Sequence, residues 1–301
     1  MIETLEGAIA HLREEYPLIA GNLSVEVLAA DSALASARRA FDYALERAEG
    51  DDEKIASGLE GFAEISFDFL RLQARFLKTG QYARQSAEGL ADDLYRNEED
   101  MRGYYLDGLL LTYALWPNHS RIFQFFEDTV LADPGSSVAE VGLGHGLMAT
   151  TLLRAHESIH YTGLDLSPHS LAFSREAFQK LGIDSDRWEL HEGDATEVSL
   201  EVEPASWFVC CEVLEHVDDP VGLLSSCRNL IGDDGKGFIS TVANLEAEDH
   251  VYLFRDAGEI HQMVADAGFE LIDERALPLP GSENNDPLPL NWAGVIAPVR
   301  S

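Results

Sequence analysis

Basic residues are scarce in this chain of 301 residues: 21 Lys and Arg stand against 54 Asp and Glu, a formal net charge of −33. So acidic a surface repels a phosphate backbone and an anionic bilayer alike. It argues against nucleic-acid and membrane partners and leaves cationic, neutral and peptide substrates open. Much of the acidic excess serves solubility. Cysteine is rarer still, with Cys210, Cys211 and Cys227 the only three. They make neither a disulfide framework nor a C-x-x-C zinc pattern, and they fit a reducing compartment. Cys210 and Cys211 are adjacent on a predicted strand, so their side chains point to opposite faces. No apolar run is long enough to span a bilayer. The opening residues, Met1-Ile-Glu-Thr-Leu-Glu6, lack the basic and apolar regions of a secretory signal. Together these absences predict a cytoplasmic protein, long enough to bury one full α/β core and a smaller unit.

What the chain does have is concentrated near its middle. Val138, Ala139 and Val141 read as a short buried strand, followed by Gly142, Gly144 and Gly146 and then by a helix over residues 147–155. A strand, a glycine turn and a helix let backbone approach a nucleotide-like ligand closely. The G-x-G-x-G spacing is neither the G-x-G-x-x-G of dinucleotide folds nor a P-loop, which disfavours a dinucleotide oxidoreductase. A second apolar strand, residues 159–166, contains Asp165 near its end, where a carboxylate can accept hydrogen bonds from ribose hydroxyls. A third, residues 188–191, leads to Asp194 and Ala195, and a fourth, residues 207–211, to Glu212-Val-Leu-Glu-His-Val217. Taken singly, any one of these acids reads better as a helix cap. The ordered set does not, because in an open α/β sheet the carboxyl ends of the strands share one crevice.

In these motifs the chain resembles the class I S-adenosylmethionine-dependent methyltransferases, over roughly residues 117–300. The resemblance implies a doubly wound, Rossmann-like, seven-stranded α/β sheet whose last strand runs antiparallel beside the fifth. It implies that Glu140, Gly142, Gly144 and Gly146 lie against the methionine part of the cofactor, that Asp165 and the following Leu166 hold the ribose, and that Asp194 and Ala195 meet the adenine. Residues 212–217, beginning with Glu212, match the stretch beside the methyl group. The chain departs from the family pattern at Ala205-Ser206, where relatives often carry Phe-Asp or Tyr-Asp before the fourth strand.

Methyl transfer from a sulfonium needs a nucleophile placed about 3 Å from the methyl and one proton managed. If residues 212–216 form a helical turn, Glu212, Glu215 and His216 share a face. His250, after the fifth strand, can return over the same crevice. Two carboxylates and imidazole suit Mg²⁺, Mn²⁺ or Zn²⁺. The pattern resembles metal-dependent ubiquinone O-methyltransferases and small-RNA 2′-O-methyltransferases, in which a metal chelates substrate oxygens. The alternatives are local packing without a metal, or a direct base at His216 or His250; Glu215 stands with them as a candidate catalytic residue. An aromatic stretch from Tyr104-Tyr105 to Tyr113 and Trp116-Pro-Asn-His119 precedes the first strand. It places Tyr105, Tyr113, Asn118 and His119 as candidate substrate-pocket residues, or else as packing between the two parts. His145 reads as a loop residue whose backbone matters more than its ring.

Residues 1–115 read as an all-helical region and residues 116–301 as the cofactor-binding domain, with about five helices before the glycine motif. Phe62, Ile65, Phe69, Leu72 and Phe76 mark one helix face, with an N-cap at Asp51-Asp52 and a stop at Gly80. Phe41, Ala44 and Leu45 mark another. The helical region is expected to cap the pocket, to form a homodimer interface or to dock a peptide. The leading expectation is an O-methyltransferase of a small molecule in secondary metabolism. The alternatives are a peptide-modifying methyltransferase acting on a terminal carboxylate or amine, and a non-catalytic cofactor-binding subunit.

Overall fold

The computed structural model describes residues 2–21, 23–29, 33–98, 101, 105–196 and 203–300. Seven strands form one sheet: β1 (Ser137–Val141), β2 (His160–Asp165), β3 (Trp188–Glu192), β4 (Ala205–Cys211), β5 (Ile231–Ala243), β6 (Phe269–Pro278) and β7 (Leu290–Pro298). Their order is β3-β2-β1-β4-β5-β7-β6. The first five run parallel, and β7 is antiparallel to both β5 and β6. The strand order reverses between β1 and β4, which opens a crevice at their carboxyl ends. β5 begins at Ile231 and runs through the glycine-flanked stretch Gly232-Asp-Asp-Gly235. The pairing with β4 slips at that point, from Ala205 opposite Ile231 to Trp207 opposite Lys236.

Both sheet faces are covered. Val138 and Val209 join a core shared with Leu152 and Leu153, whereas Ala139, Phe208, Ile239 and Ile296 join a second core on the other side. Cys210 belongs to the second core and Cys211 packs against the first, as alternation along a strand requires.

Among the described residues seven α-helices precede β1: α1 (Leu5–Glu15), α2 (Pro17–Ala20), α3 (Val25–Ala29), α4 (Leu34–Ala48), α5 (Asp52–Thr79), α6 (Leu106–Leu115) and α7 (Pro117–Phe126). The count exceeds the expected five because α2 and α3, of four and five residues, are too short to leave an apolar period. π-Helical turns follow at Ala91–Tyr95 and Glu127–Leu131. Later come α8 (Leu147–Ala155), α9 (Pro168–Lys180), α10 (Pro220–Cys227) and α11 (Ala257–Asp266). None of the described helices is long and apolar enough to cross a membrane.

The long helix α5 positions the helical region over the crevice. The Asp51 carboxylate accepts from the backbone N–H groups of Glu53 and Lys54, and Gly80 ends the helix in a left-handed conformation (φ 67°). Phe62, Leu72 and Phe76 are buried, while Ile65 and Phe69 are half-buried because they face a cavity rather than a neighbouring helix. The Gln73 amide bonds both ways to the loop after β5. Its Nε2 donates to the Asn244 carbonyl (2.8 Å) and its Oε1 accepts from the Glu246 N–H (3.0 Å). Arg75 pairs with the buried Glu246 carboxylate at 3.0 Å.

At Gly61 and Gly108 the backbones of α5 and α6 touch. A Cβ built on Gly108 would lie 2.6 Å from the Gly61 carbonyl carbon. Gly108→Ala is therefore expected to push the two helices apart and destabilise the protein by about 1–3 kcal/mol, despite the better helix propensity of alanine. Thermal denaturation checks this, and an unchanged or raised Tm would contradict it.

Candidate active site

The glycine turn after β1 borders a cavity of about 1050 Å³ between the sheet's carboxyl edge and the helical region. All three glycines have left-handed backbone, with φ of 72° at Gly142, 50° at Gly144 and 67° at Gly146. Added Cβ atoms would strike Val213 at Gly142 and Ser174 at Gly146, each at 2.4 Å, but would meet nothing within 4 Å at Gly144. Gly144 thus presents bare backbone to the cavity, where a ligand can approach it. Its N–H donates to Asp165 Oδ2 (2.9 Å), and the Ser167 N–H donates to Oδ1 (2.8 Å). Burial raises the pKa of Asp165 to about 6, although both backbone donors pull it down. Leu166, Asp194 and Ala195 also line the cavity. Asp194 is tied by Oδ1 to the N–H and hydroxyl of Thr196, at 2.8 and 2.6 Å. Glu140 is buried beneath the turn and accepts from the Tyr161 hydroxyl (2.8 Å).

Across the cavity a polar cluster forms where the loop after β5 meets the short turn Leu214–His216. The N–H groups of Val251 and Tyr252 donate to the Glu215 carbonyl at 2.8 and 3.0 Å, which brings His250 to Glu215 and His216. One atom from each of Glu215, His216 and His250 lies within 4.8 Å of the others. Glu215 is fully buried. Its Oε2 accepts from the Thr241 hydroxyl (2.7 Å), but its Oε1 has no hydrogen-bond partner and lies 3.8 Å from His216 Nε2. His250 Nδ1 donates to the Leu245 carbonyl (2.8 Å). His216 Nδ1 is 3.2 Å from both the carbonyl and the carboxylate of Asp249. Burial opposes a charged His216, but the Asp249 carboxylate, aided by Glu215 and Glu212, outweighs it and lifts the pKa to about 9. Burial penalises the Asp249 charge too, yet His216 holds that carboxyl well below its ordinary range. Burial and the neighbouring His216 charge lower His250.

The expected face shared by Glu212 with Glu215 and His216 does not form. Glu212 has a left-handed backbone (φ 52°), so no helical turn runs from it to His216. Its carboxylate instead accepts from the Ser240 hydroxyl (2.7 Å). Burial, then the Glu215 charge, pushes its pKa up to about 8. Glu212 lines the cavity but stands outside the cluster of possible metal ligands. Of the aromatic stretch, Tyr104 lies outside the described residues. Tyr105, Tyr113, Asn118 and His119 all line the cavity. Tyr105 gives its hydroxyl to Asp249 (3.2 Å), and the Tyr113 ring lies 5.1 Å from those of His119 and His145. His119 bonds Thr112 (2.8 Å). Asn118 donates to the Leu277 and Pro278 carbonyls and to Asn291, so its amide is spent on holding α7 to the sheet. His145 Nδ1 accepts from the Leu147 N–H (3.2 Å), and burial drives its pKa down to about 3. Sequence reasoning gave no role to Asp249 or Tyr95. Asp249 adjoins His250, which was its one available signal. Tyr95 reaches the cluster from 121 residues away and had none.

Residues 139–236 match a family model described as a methyltransferase domain. A 110-residue stretch, 36% of the chain, is 34% identical to a ubiquinone biosynthesis O-methyltransferase of Xylella fastidiosa, of which it spans 42%. The chain therefore covers less than half of that relative's length. Among solved structures, the mitomycin 7-O-methyltransferase MmcR superposes with a TM-score of 0.56 at 15% identity, covering 81% of this chain and 72% of that one. The [4+2]-cyclase SpnF superposes with a TM-score of 0.51 at 15% identity, covering 62% of this chain and 83% of that one. At such identities these likenesses show the fold alone.

One electrostatic consequence of the site is measurable in the free protein. Burial raises Glu140 to about 8, against the Tyr161 hydrogen bond that lowers it and with Asp165 adding to it, from an ordinary 4.5. Between those values the folded chain holds a proton that the unfolded chain has released, so stability falls as pH rises through the window. Glu140→Gln is expected to remove that slope. It should raise Tm by about 3 °C or more at pH 8 and by less at pH 5. Equal shifts at the two pH values would contradict the assignment.

Proposed function

We propose that this class I S-adenosylmethionine-dependent methyltransferase methylates an oxygen of a small molecule, assisted by a divalent cation. The observation that carries the metal reading is Glu215 Oε1. It is a fully buried carboxylate oxygen without a partner, beside two imidazoles whose Nδ1 atoms are already engaged. A buried acceptor left unpaired is costly, and a cation ligated by Glu215, His216 and His250 removes that cost. The bound Mg²⁺ or Zn²⁺ would chelate substrate oxygen and lower the pKa of the attacked hydroxyl.

The chain's own residues supply the rest. Gly144 and Glu140 are assigned to the methionine end of the cofactor, Asp165 and Leu166 to the ribose, and Asp194 and Ala195 to the adenine. The acidic lining complements a sulfonium. Ile65, Phe69 and Leu72 of α5 form an apolar wall that excludes water from the reacting atoms. The acceptor hydroxyl, acidified, gives up its proton to water, and its oxygen forms a bond to the methyl carbon as the carbon–sulfur bond breaks and its electron pair returns to sulfur. His216, protonated near neutral pH without a metal, is a poor direct base in that state. His250, with a lowered pKa and Nδ1 given to a carbonyl, is the better metal-free alternative. The roof formed by α5 and α6 supports a small acceptor over a peptide. That a cyclase shares the fold keeps a cofactor-holding role without methyl transfer as the second reading.

Incubation with methyl-labelled S-adenosylmethionine and cell extract is expected to move label into low-molecular-weight material, and chelator should abolish the transfer until Mg²⁺ or Zn²⁺ is restored. Tight cofactor binding with no transferred label would favour the second reading, and full activity in chelator would remove the metal. The ribose assignment has its own measurement. Asp165→Ala is expected to weaken cofactor binding by about 2–3 kcal/mol. In the wild type, affinity should fall between pH 7 and pH 5, because a carboxyl with a pKa of about 6 takes up a proton and loses an acceptor for ribose hydroxyls. Calorimetry showing unchanged affinity in both experiments would overturn it.

A further inference from the structure

We infer that Asp249, held by Tyr95 and Tyr105, is a positioning residue that presents His216 Nε2 to the metal; the inference rests on the metal reading above. Asp249 lies in the loop after β5 and is buried. Its carboxylate collects three contacts at one oxygen. The Tyr95 hydroxyl donates to Oδ2 at 3.1 Å, the Tyr105 hydroxyl donates at 3.2 Å, and His216 Nδ1 lies at 3.2 Å. The Asp249 carbonyl is a further 3.2 Å from the same nitrogen.

These contacts fix the imidazole. A carbonyl and an ionised carboxylate only accept, so His216 Nδ1 must carry hydrogen and donate. Tyr95 lies 3.1 Å from that nitrogen and uses its proton on Asp249. Nδ1 is thereby excluded as a ligand, and Nε2, on the side of the unpartnered Glu215 oxygen, is left for the cation. A metal-bound histidine is oriented in this way by an acceptor on its other nitrogen. His250 obtains the same orientation from the Leu245 carbonyl and does not need Asp249. The device is therefore specific to His216.

Its second half comes from the helical region. Tyr95 ends the π-helical turn Ala91–Tyr95, and Tyr105 borders α6. The carbonyl of Tyr95 also accepts from the Ser167 hydroxyl (2.7 Å), two residues beyond Asp165. One residue of the helical region thus touches both the ribose end of β2 and the partner of His216.

The test uses the full chain, stripped with chelator and titrated with Mn²⁺ while free Mn²⁺ is followed by electron paramagnetic resonance. Asp249→Asn is expected to raise the Mn²⁺ Kd by about 10–100-fold. The S-adenosylmethionine Kd, by calorimetry, should change by less than about twofold. Tyr95→Phe combined with Tyr105→Phe should raise the Mn²⁺ Kd by about three- to tenfold, as a partial loss of the same support. It decides the matter if Asp249→Asn does not fold. Wild-type affinity for Mn²⁺ in these variants would overturn the positioning role and leave the metal reading standing. Equal losses of Mn²⁺ and cofactor affinity would mark a general structural role and overturn it too. A wild-type protein that binds no Mn²⁺ would overturn the metal reading and this inference together.

Discussion

Asp165 accepts hydrogen bonds from the N–H groups of Gly144 and Ser167, and this pairing ties the turn after β1 to the end of β2. The turn can then fold back only if its residues accept left-handed backbone, which glycine does without a Cβ penalty. Val213 occupies the space a side chain at Gly142 would need, and Ser174 does the same at Gly146. Because Val213 belongs to the segment after β4, this one tie brings the ends of β1, β2 and β4 into a common wall. The cavity, the exposed backbone of Gly144 and the approach to the Glu215 cluster all follow from it.

The wall is electrostatically loaded. Glu140 and Asp165 are buried and Glu212 half-buried along one cavity, and each has its pKa raised chiefly by loss of water. Such burial works against folding unless something cationic arrives. The one strongly depressed carboxyl of the site, Asp249, is the one facing His216. The site therefore holds two kinds of acid. Asp249 has its positive partner in direct contact, whereas the other three are held by hydroxyl and backbone N–H donors. The two kinds lie in one cavity.

The sheet was legible in the sequence because its signals are local. Apolar runs end in glycine or acid at β1, β2 and β4, and a parallel strand packed on both faces needs little more to be read, whereas β3 is a half-exposed edge strand marked mainly by the acids that follow it. The α5 face was legible in Phe62, Leu72 and Phe76 for the same reason. The readings that failed depended on backbone conformation or on distant partners. Glu212, Glu215 and His216 have helical spacing, but the left-handed backbone at Glu212 breaks the turn that would make that spacing meaningful. Asn118 does line the cavity, but nothing in the sequence shows that strand carbonyls 159 and 160 residues away take its amide. Tyr95 and Asp249 meet across 154 residues, a distance no periodicity crosses.

The close approach of α5 and α6 at Gly61 and Gly108 has a bearing on selectivity. Where two helices meet through side chains, they can slide or separate as rotamers change. Here backbone rests on backbone, so the pair already stands at closest approach and no change of rotamer at the contact can draw it tighter. Space beside Ile65 and Phe69 can then shrink only through larger side chains, never through a closer helix pair.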